Sequence, residues 1–305
     1  MIQNKRIFTV LTFAALLFAL PACAQQQPSG PWFFSVDGIG AHQSEADMKD
    51  SSGGFARDAW FVRAAVDYAW SRRDSIGLSV GGGAYIYDFN DESGFGGGEP
   101  WHKVDDARVT LSGRFGIGET GQLFIVPTVR FNRESGASAS DSRTFGVFAA
   151  AAWRLRDNLT IGPGFGVFSR LENGTRFFPV LAIDWSISDR WNLSTGRGLA
   201  SSQGPGLTLG YKLNEDWSFG LTGRFENVEF RLDDKGPAPG GVGRDHSMPL
   251  VFSASLKPND RLDLNVFTGV AINGELKLKN SEGDTIEETD YDTAFVFGAA
   301  FEFRF

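Results

Sequence analysis

The last fourteen residues of the chain, 292–305, constrain its fold more than any other stretch. They read DTAFVFGAAFEFRF. In an extended strand Phe295, Phe297, Ala299, Phe301, Phe303 and Phe305 fall on one face, and Ala294, Val296, Gly298, Ala300, Glu302 and Arg304 on the other. With rings at most positions of one side, such a strand needs an apolar partner along its whole length. Nothing upstream reads as a compact core that would supply it.

The rest of the chain repeats one unit: strand, tight polar turn, strand, longer loop. Tight turns rich in Asp, Asn and Gly are expected at 71–74, 118–121, 156–158, 188–190, 214–216 and 258–260. Longer, more variable loops are expected at 42–58, 89–106, 133–142, 171–175, 198–204, 233–247 and 274–290. The turns join twelve strands, and a first strand at 32–41 with the closing strand brings the expected count to fourteen. The count falls to twelve if 191–196 and 206–213 are not strands.

Charge placement says what surrounds these strands. On the second, Trp60, Val62, Ala64, Val66, Tyr68 and Trp70 share one parity, with Arg63 and Asp67 on the other. The pattern recurs with Val109, Leu111, Phe115 and Ile117 against Arg108 and Arg114, and with Leu123, Ile125, Val129 and Phe131 against Arg130. It recurs again with Phe177, Leu181, Ile183 and Trp185 against Asp184, with Trp217, Phe219, Leu221 and Phe225 against Arg224 and Glu226, and with Leu262, Leu264, Val266 and Val270 against Asp263. No charge falls on the apolar parity within these spans. A cation facing lipid at mid-membrane costs about 2–4 kcal/mol, so the exclusion is what a lipid-facing surface demands. A soluble sandwich alternates too, but it has no reason to place Trp32, Trp70, Trp153, Trp185, Trp191 and Trp217 on the apolar parity beside tight turns or the first strand's start. An aromatic girdle at one membrane interface does. The reading is all-β: a single antiparallel up-and-down transmembrane β-barrel of about fourteen strands.

The terminal strand, with Phe301, Phe303 and Phe305 at its end, resembles the closing strand of bacterial outer-membrane β-barrels, whose assembly machinery reads it as a signal. The turn at 257–260, the segment GVAINGEL at 269–276, Tyr291 with Asp292 and the Phe-rich end also resemble an uncharacterised family of outer-membrane barrels, known only as a domain of unknown function. The resemblance implies an outer-membrane location, contact with membrane lipid and lipopolysaccharide, and the barrel assembly machinery as a partner during biogenesis. It carries over no catalytic or binding residue.

The start of the chain fits export. Lys5 and Arg6 precede an apolar run, 7–20, too short to span a membrane as a helix, so 1–24 is expected to be a signal peptide. Cleavage after Ala24 is one reading, and acylation at Cys23 after the lipobox-like Leu20, Pro21 and Ala22 is the other. A polar leader, 25–30, then precedes the barrel domain, 31–305. Cys23 is the only cysteine, which excludes a structural disulfide. Loss of Lys5 and Arg6 takes the formal charge from −8 to −10, which argues against a nucleic-acid partner.

Little in the sequence points to chemistry. His42, His102 and His246 are all expected in loops, and Asp245, His246 and Ser247 are adjacent, but sequence neighbours rarely form a working catalytic group. Asp88, Asn90 and Glu92 have the spacing of a calcium loop, yet Ser93 stands where the glycine belongs. The acidic side chains of that loop and of 282–292 are expected to be solvated, and the Gly-rich 94–98 to be a flexible tip. No metal or cofactor is expected. Function would lie on the inward parity. Its basic members are Arg63, Arg108, Arg114, Arg130, Arg154, Lys212, Arg224, Lys257 and Arg304; its acidic members are Asp37, Asp67, Asp184, Glu226, Asp263 and Glu302. They either line a mildly positive pore or brace a filled interior. The expected function is a passive channel or transporter for small solutes, followed by a structural or surface-interaction barrel with a closed lumen, then an outer-membrane hydrolase. A fatty-acid transporter fits less well, because those begin with a plug that the short leader cannot supply.

Overall fold

The computed structural model describes residues 30–90, 94–97, 99–172, 174–195 and 206–305. The expected signal peptide with Cys23, most of the 25–30 leader, Glu92, Ser93 and the 198–204 loop lie outside the described residues. The alternating segments form sixteen strands: β1 (Trp32–Asp47), β2 (Gly54–Ala69), β3 (Ser75–Phe89), β4 (Lys103–Ile117), β5 (Gly121–Glu134), β6 (Arg143–Arg156), β7 (Leu159–Ser169), β8 (Thr175–Ser186), β9 (Trp191–Thr195), β10 (Gly206–Lys212), β11 (Trp217–Arg224), β12 (Glu226–Arg231), β13 (Val242–Asn259), β14 (Leu262–Lys279), β15 (Thr285–Tyr291) and β16 (Ala294–Arg304).

Strands β1 to β11 pair in chain order, β13, β14 and β16 follow, and β16 closes onto β1. Because β12 follows directly from β11 and β15 leads directly into β16, the wall is a closed antiparallel barrel of fourteen staves. Closure gives every stave a partner on each side. The two segments whose strand character the sequence left open, β9 and β10, both belong to the wall and are short, at 5 and 7 residues. The aromatic closing strand sits between β1 and β14, with Phe301 opposite Gly38 and Leu264, and the Phe305 N–H donates to the Phe34 carbonyl at 3.0 Å.

Strand extends into four of the expected loops: β1 and β2 take up most of 42–58 and β14 with β15 most of 274–290, while β4 begins at Lys103 and β13 at Val242. These stretches, at the end far from the tight turns, alternate as the membrane band does but in the opposite sense, with apolar side chains inward. Three neighbouring staves reset their parity to achieve this. On β1 the register slips between Gln43 and Ala46. On β14, Asn273 adopts a left-handed φ of 52°, and β15 breaks from β16 at 292–293. Each irregularity exchanges the inward and outward sets. Beyond them Ala46, Met48, Leu276, Leu278 and Tyr291 are all buried.

The expectation that the chain lacks a compact core is therefore wrong at the far end. There Phe55, Tyr87, Phe89, Phe95, Trp101, Val104, Phe230, Leu276 and Leu278 form one buried cluster inside the barrel. The sequence conceals it because the inverted alternation looks like polar loop: Lys277, Glu288 and Asp88 are the residues that face out.

Candidate functional site

The barrel interior has two compartments, and β12 separates them. After Phe225 this strand pairs with β13, from Glu226 opposite Ser247 to Arg231 opposite Val242. Its end meets β5, half-way round the ring, where Arg231 pairs with Arg133. A strand joined to both walls crosses the mouth as a lid. The local reason is parity: Val228, Phe230 and Leu232 share the face of inward Arg224 and Glu226, and they escape water only by packing into a core. Trp101 is the hub of that core, with Phe230, Phe89, Phe95 and Tyr87 edge-on to it at ring separations of 5.1, 5.7, 5.8 and 5.8 Å.

Polar ties hold the lid to the opposite wall. The Arg231 guanidinium donates to the carbonyls of Gly240, Leu171 and Asp141 at 2.9, 2.9 and 3.1 Å. The Asp233 N–H donates to the Glu134 carboxylate at 3.1 Å, although burial pushes that carboxyl's pKa up.

Beneath the lid lies a buried lock. The Asp245 carboxylate on β13 accepts from Arg57 on β2, from the Tyr87 hydroxyl on β3 at 3.0 Å and from the Tyr291 hydroxyl on β15 at 2.9 Å. Arg57 also lies 3.6 Å from Glu226, which pairs with Arg224 at 3.0 Å. Buried charges persist only when paired and hydrogen-bonded, and here every charge has an opposite neighbour. The segment GVAINGEL and the pair Tyr291–Asp292 belong to this device: Tyr291 pairs with Gly274, whose missing Cβ leaves room for the tyrosine ring. Neither the lock nor the lid was read from the sequence. The available signal was that Val228, Phe230, Leu276 and Leu278 are apolar where a water-filled lumen would want polar groups.

From the lock to the tight-turn end runs a cavity of about 500 Å³, reaching from Gln43, Arg57, Tyr85 and Glu226 down to the turn at Asn214, Glu215 and Asp216. Ile39 and Phe61 make one side apolar, the other carries Asn192, Ser194, Thr208 and Thr222, and between them Ser253 and Ser255 lie beside Phe267 and Asn265. A single line of cross-strand neighbours joins the two: Ser194, Thr208, Thr222, Val251, Gly269, Val296, Gln43 and Arg57. Thr208 and Thr222 hydrogen-bond at 2.9 Å, and Asn265 donates to Ser255 at 2.7 Å. Gln43 and Ser194, exposed by only 2% and 1%, keep side-chain polar atoms with no hydrogen-bond partner among the described residues.

Of the residues expected to line the lumen, Lys212, Arg224, Glu226 and Lys257 line this cavity. Arg63 pairs with Asp37 at 2.7 Å, and Arg108 and Arg130 flank Asp106 at 2.8 and 3.6 Å. Lys257 pairs with Asp263 at 3.3 Å and Arg304 with Glu302 at 2.9 Å. Asp67 interacts with Arg63, Arg114 and Ser112 in the space left by Gly77. Asp184 stands opposite Ser194 and Thr160, and Arg154 is exposed at the tight-turn end. Six of the expected lumen cations, Arg63, Arg108, Arg130, Arg224, Lys257 and Arg304, thus have a carboxylate neighbour. Trp32, Trp70, Trp153, Trp185, Trp191 and Trp217 are all exposed at strand ends beside the tight turns.

Two histidines are not in loops as expected. His42 lies on β1, bonded to Asp58 at 2.7 Å, and His246 on β13, its Nδ1 buried without a partner; only His102 precedes a strand, beside Glu99 at 2.9 Å. Asp245 is consumed by the lock, so Asp245, His246 and Ser247 form no acid–histidine–serine relay. The acidic stretch 282–292 is less solvated than expected. Glu287 accepts from the Gly96 N–H at 2.7 Å, and Lys277 donates to Glu288 at 2.8 Å, a bond that holds the Glu288 carboxyl below its usual pKa. Gly96 therefore belongs to the lid's surroundings rather than to a free tip, while Gly98 lies outside the described residues.

No protein-family model matches the chain, and no curated protein matches it. Among solved structures, an outer-membrane channel from Pseudomonas putida F1 is 11% identical, covering 94% of this chain and 99% of its own, with a TM-score of 0.51. The P. putida toluene transporter TodX is 7% identical over 91% of this chain and 90% of its own, with a TM-score of 0.47. A Pseudomonas aeruginosa FadL homologue is 12% identical over 89% of each chain, with a TM-score of 0.45. At such identity the first likeness shows a shared fold, a closed outer-membrane-type barrel.

Proposed function

We propose that the chain is an outer-membrane channel for small solutes, closed in its resting state by the β12 lid and open to the periplasm at the tight-turn end. The observation that carries this reading is the cavity of about 500 Å³, which reaches the tight turns and ends at the lid. A passive structural barrel has no need of a polar cavity beneath its core. The tryptophans beside the tight turns support the orientation, since indole rings favour the membrane interface. Phe301, Phe303 and Phe305 supply the aromatic end that similar barrels present to their assembly machinery, and Phe305→Ser is expected to impair insertion more than Phe297→Ser. The experiment is liposome swelling with a small neutral solute, comparing the wild-type chain with a variant in which 226–241 is replaced by a short turn. Slow swelling for the wild type and fast swelling for the variant is the expected result. A second reading, a permanently closed barrel, is favoured by the completeness of the aromatic core in the lid. It predicts that the wild type, unlike the lid-replaced variant, passes no solute and shows no opening steps in planar bilayers.

A further inference from the structure

We infer that the cavity beneath the lock is a binding site for an uncharged polyhydroxy molecule of mono- to disaccharide size. The inference deepens the channel reading and rests on it for access to the cavity. Gln43 and Ser194 lie on one line of cross-strand neighbours, each almost fully buried and each with side-chain polar atoms that have no partner among the described residues. An amide that lacks both a donor and an acceptor partner is costly to leave buried, and a ligand with hydroxyl groups relieves both needs at once. Asn192 and Ser253 add further polar groups, and Phe61, across the barrel from Asn192, with Phe267, paired with Ser253, offers the apolar surface that the C–H faces of a sugar ring pack against. The volume lies within the range of small-molecule pockets.

Charge argues for a neutral ligand. Of the cations lining the cavity, Arg57 and Arg224 are both engaged by Glu226, Arg57 by Asp245 as well and Lys257 by Asp263, while Lys212 shares the tight-turn end with Glu215 and Asp216, so an acidic ligand would compete with carboxylates already in place. A hydrocarbon fits no better, since it leaves Gln43 and Ser194 as unsatisfied as before.

The test uses the purified full barrel in detergent micelles, labelled with ¹⁵N at glutamine, and follows the Gln43 side-chain amide while glucose, sucrose, lactose, sodium glucuronate or toluene is added. At least one of the three neutral saccharides should shift the Gln43 resonance saturably. Glucuronate and toluene should bind at least tenfold more weakly. Gln43→Leu and Ser194→Ala, checked for folding by heat-modifiable gel mobility, should each weaken saccharide binding about tenfold, read for the first variant by saturation-transfer signals of the sugar. The inference is overturned if none of the neutral saccharides binds, if glucuronate or toluene binds more tightly, or if Gln43→Leu binds as the wild type does. Binding without liposome swelling would keep the site and remove the channel; swelling without binding would do the reverse.

Discussion

The same staves carry two opposite codes along their length. Near the tight turns β2 turns Trp60, Val62 and Val66 outward and Arg63 and Asp67 inward; at its far end Phe55 is buried inside and Asp58 faces out. β14 does the same, with Val266 exposed and Asp263 inside, then Leu276 and Leu278 buried and Lys277 outside beside Glu288. The first code suits a wall between lipid and a polar lumen. The second is that of a water-soluble fold with a core. One barrel therefore joins a membrane band to a water-facing cap, and the cap's core fills the barrel at that end.

Removing a ring from that core should produce the largest effect. Phe230→Ala is expected to destabilise the lid by about 3–5 kcal/mol, as for a large-to-small change in a packed interior. Hydrogen exchange should accelerate in β12 while the amides of β4 and β5 near the tight turns stay protected. Uniform acceleration throughout the barrel would mean that the cap and the band are one cooperative unit.

Swapping a charge between the two outward faces tests the codes directly. Leu111→Arg in the membrane band should cost about 2–4 kcal/mol in urea unfolding from lipid vesicles. Ile286→Arg, exposed on β15 in the cap, should change stability by no more than about 0.5 kcal/mol. Equal costs would erase the distinction between the faces.

The membrane band was legible in the sequence because lipid imposes a rule on every outward position, so Trp60, Leu111 and Phe297 speak with one voice over many strands. The cap was not, because its inward face turns apolar, on β2 and β3 with no change of parity and on β1, β14 and β15–β16 through local irregularities. At Asn273 the parity changes within one residue, and Leu276 and Leu278 then read as stray apolar residues of a charged loop. The lumen residues were legible as a class but not as a site. Alternation places Arg224 and Glu226 inward, but only the tertiary fold brings Arg57, Asp245 and Tyr291 to one another, across stretches far apart in the chain.

The irregularity itself is open to test. Asn273→Gly should be tolerated, since glycine accepts a left-handed backbone, whereas Asn273→Val should cost about 1–2 kcal/mol. The loss should appear as faster exchange in β15, which pairs with the segment that follows. An unchanged exchange pattern would place the parity switch elsewhere.

A smaller effect should follow from pH. The Glu288 carboxyl is held below its usual range by the bond from Lys277, so its contribution to the β14–β15 hairpin is present above the usual carboxylate pKa and lost as pH falls through the lowered value. The group is exposed, which keeps the effect slight. Hairpin exchange at pH 7 should be slower than at pH 3.5 after correction for intrinsic rates, and Glu288→Gln should remove the difference.

The central claim, that the crossing of β12 shuts the pore, is tested most directly by tethering the lid. Arg231 and Arg133 are register neighbours between β12 and β5, a spacing suited to a disulfide, and Cys23 is the chain's only native cysteine. In planar bilayers the Cys23→Ser, Arg133→Cys, Arg231→Cys protein should show no open steps when oxidised and regain solute-sized openings on reduction. The same conductance in both states would contradict the account, because it would mean that ions pass without the lid moving.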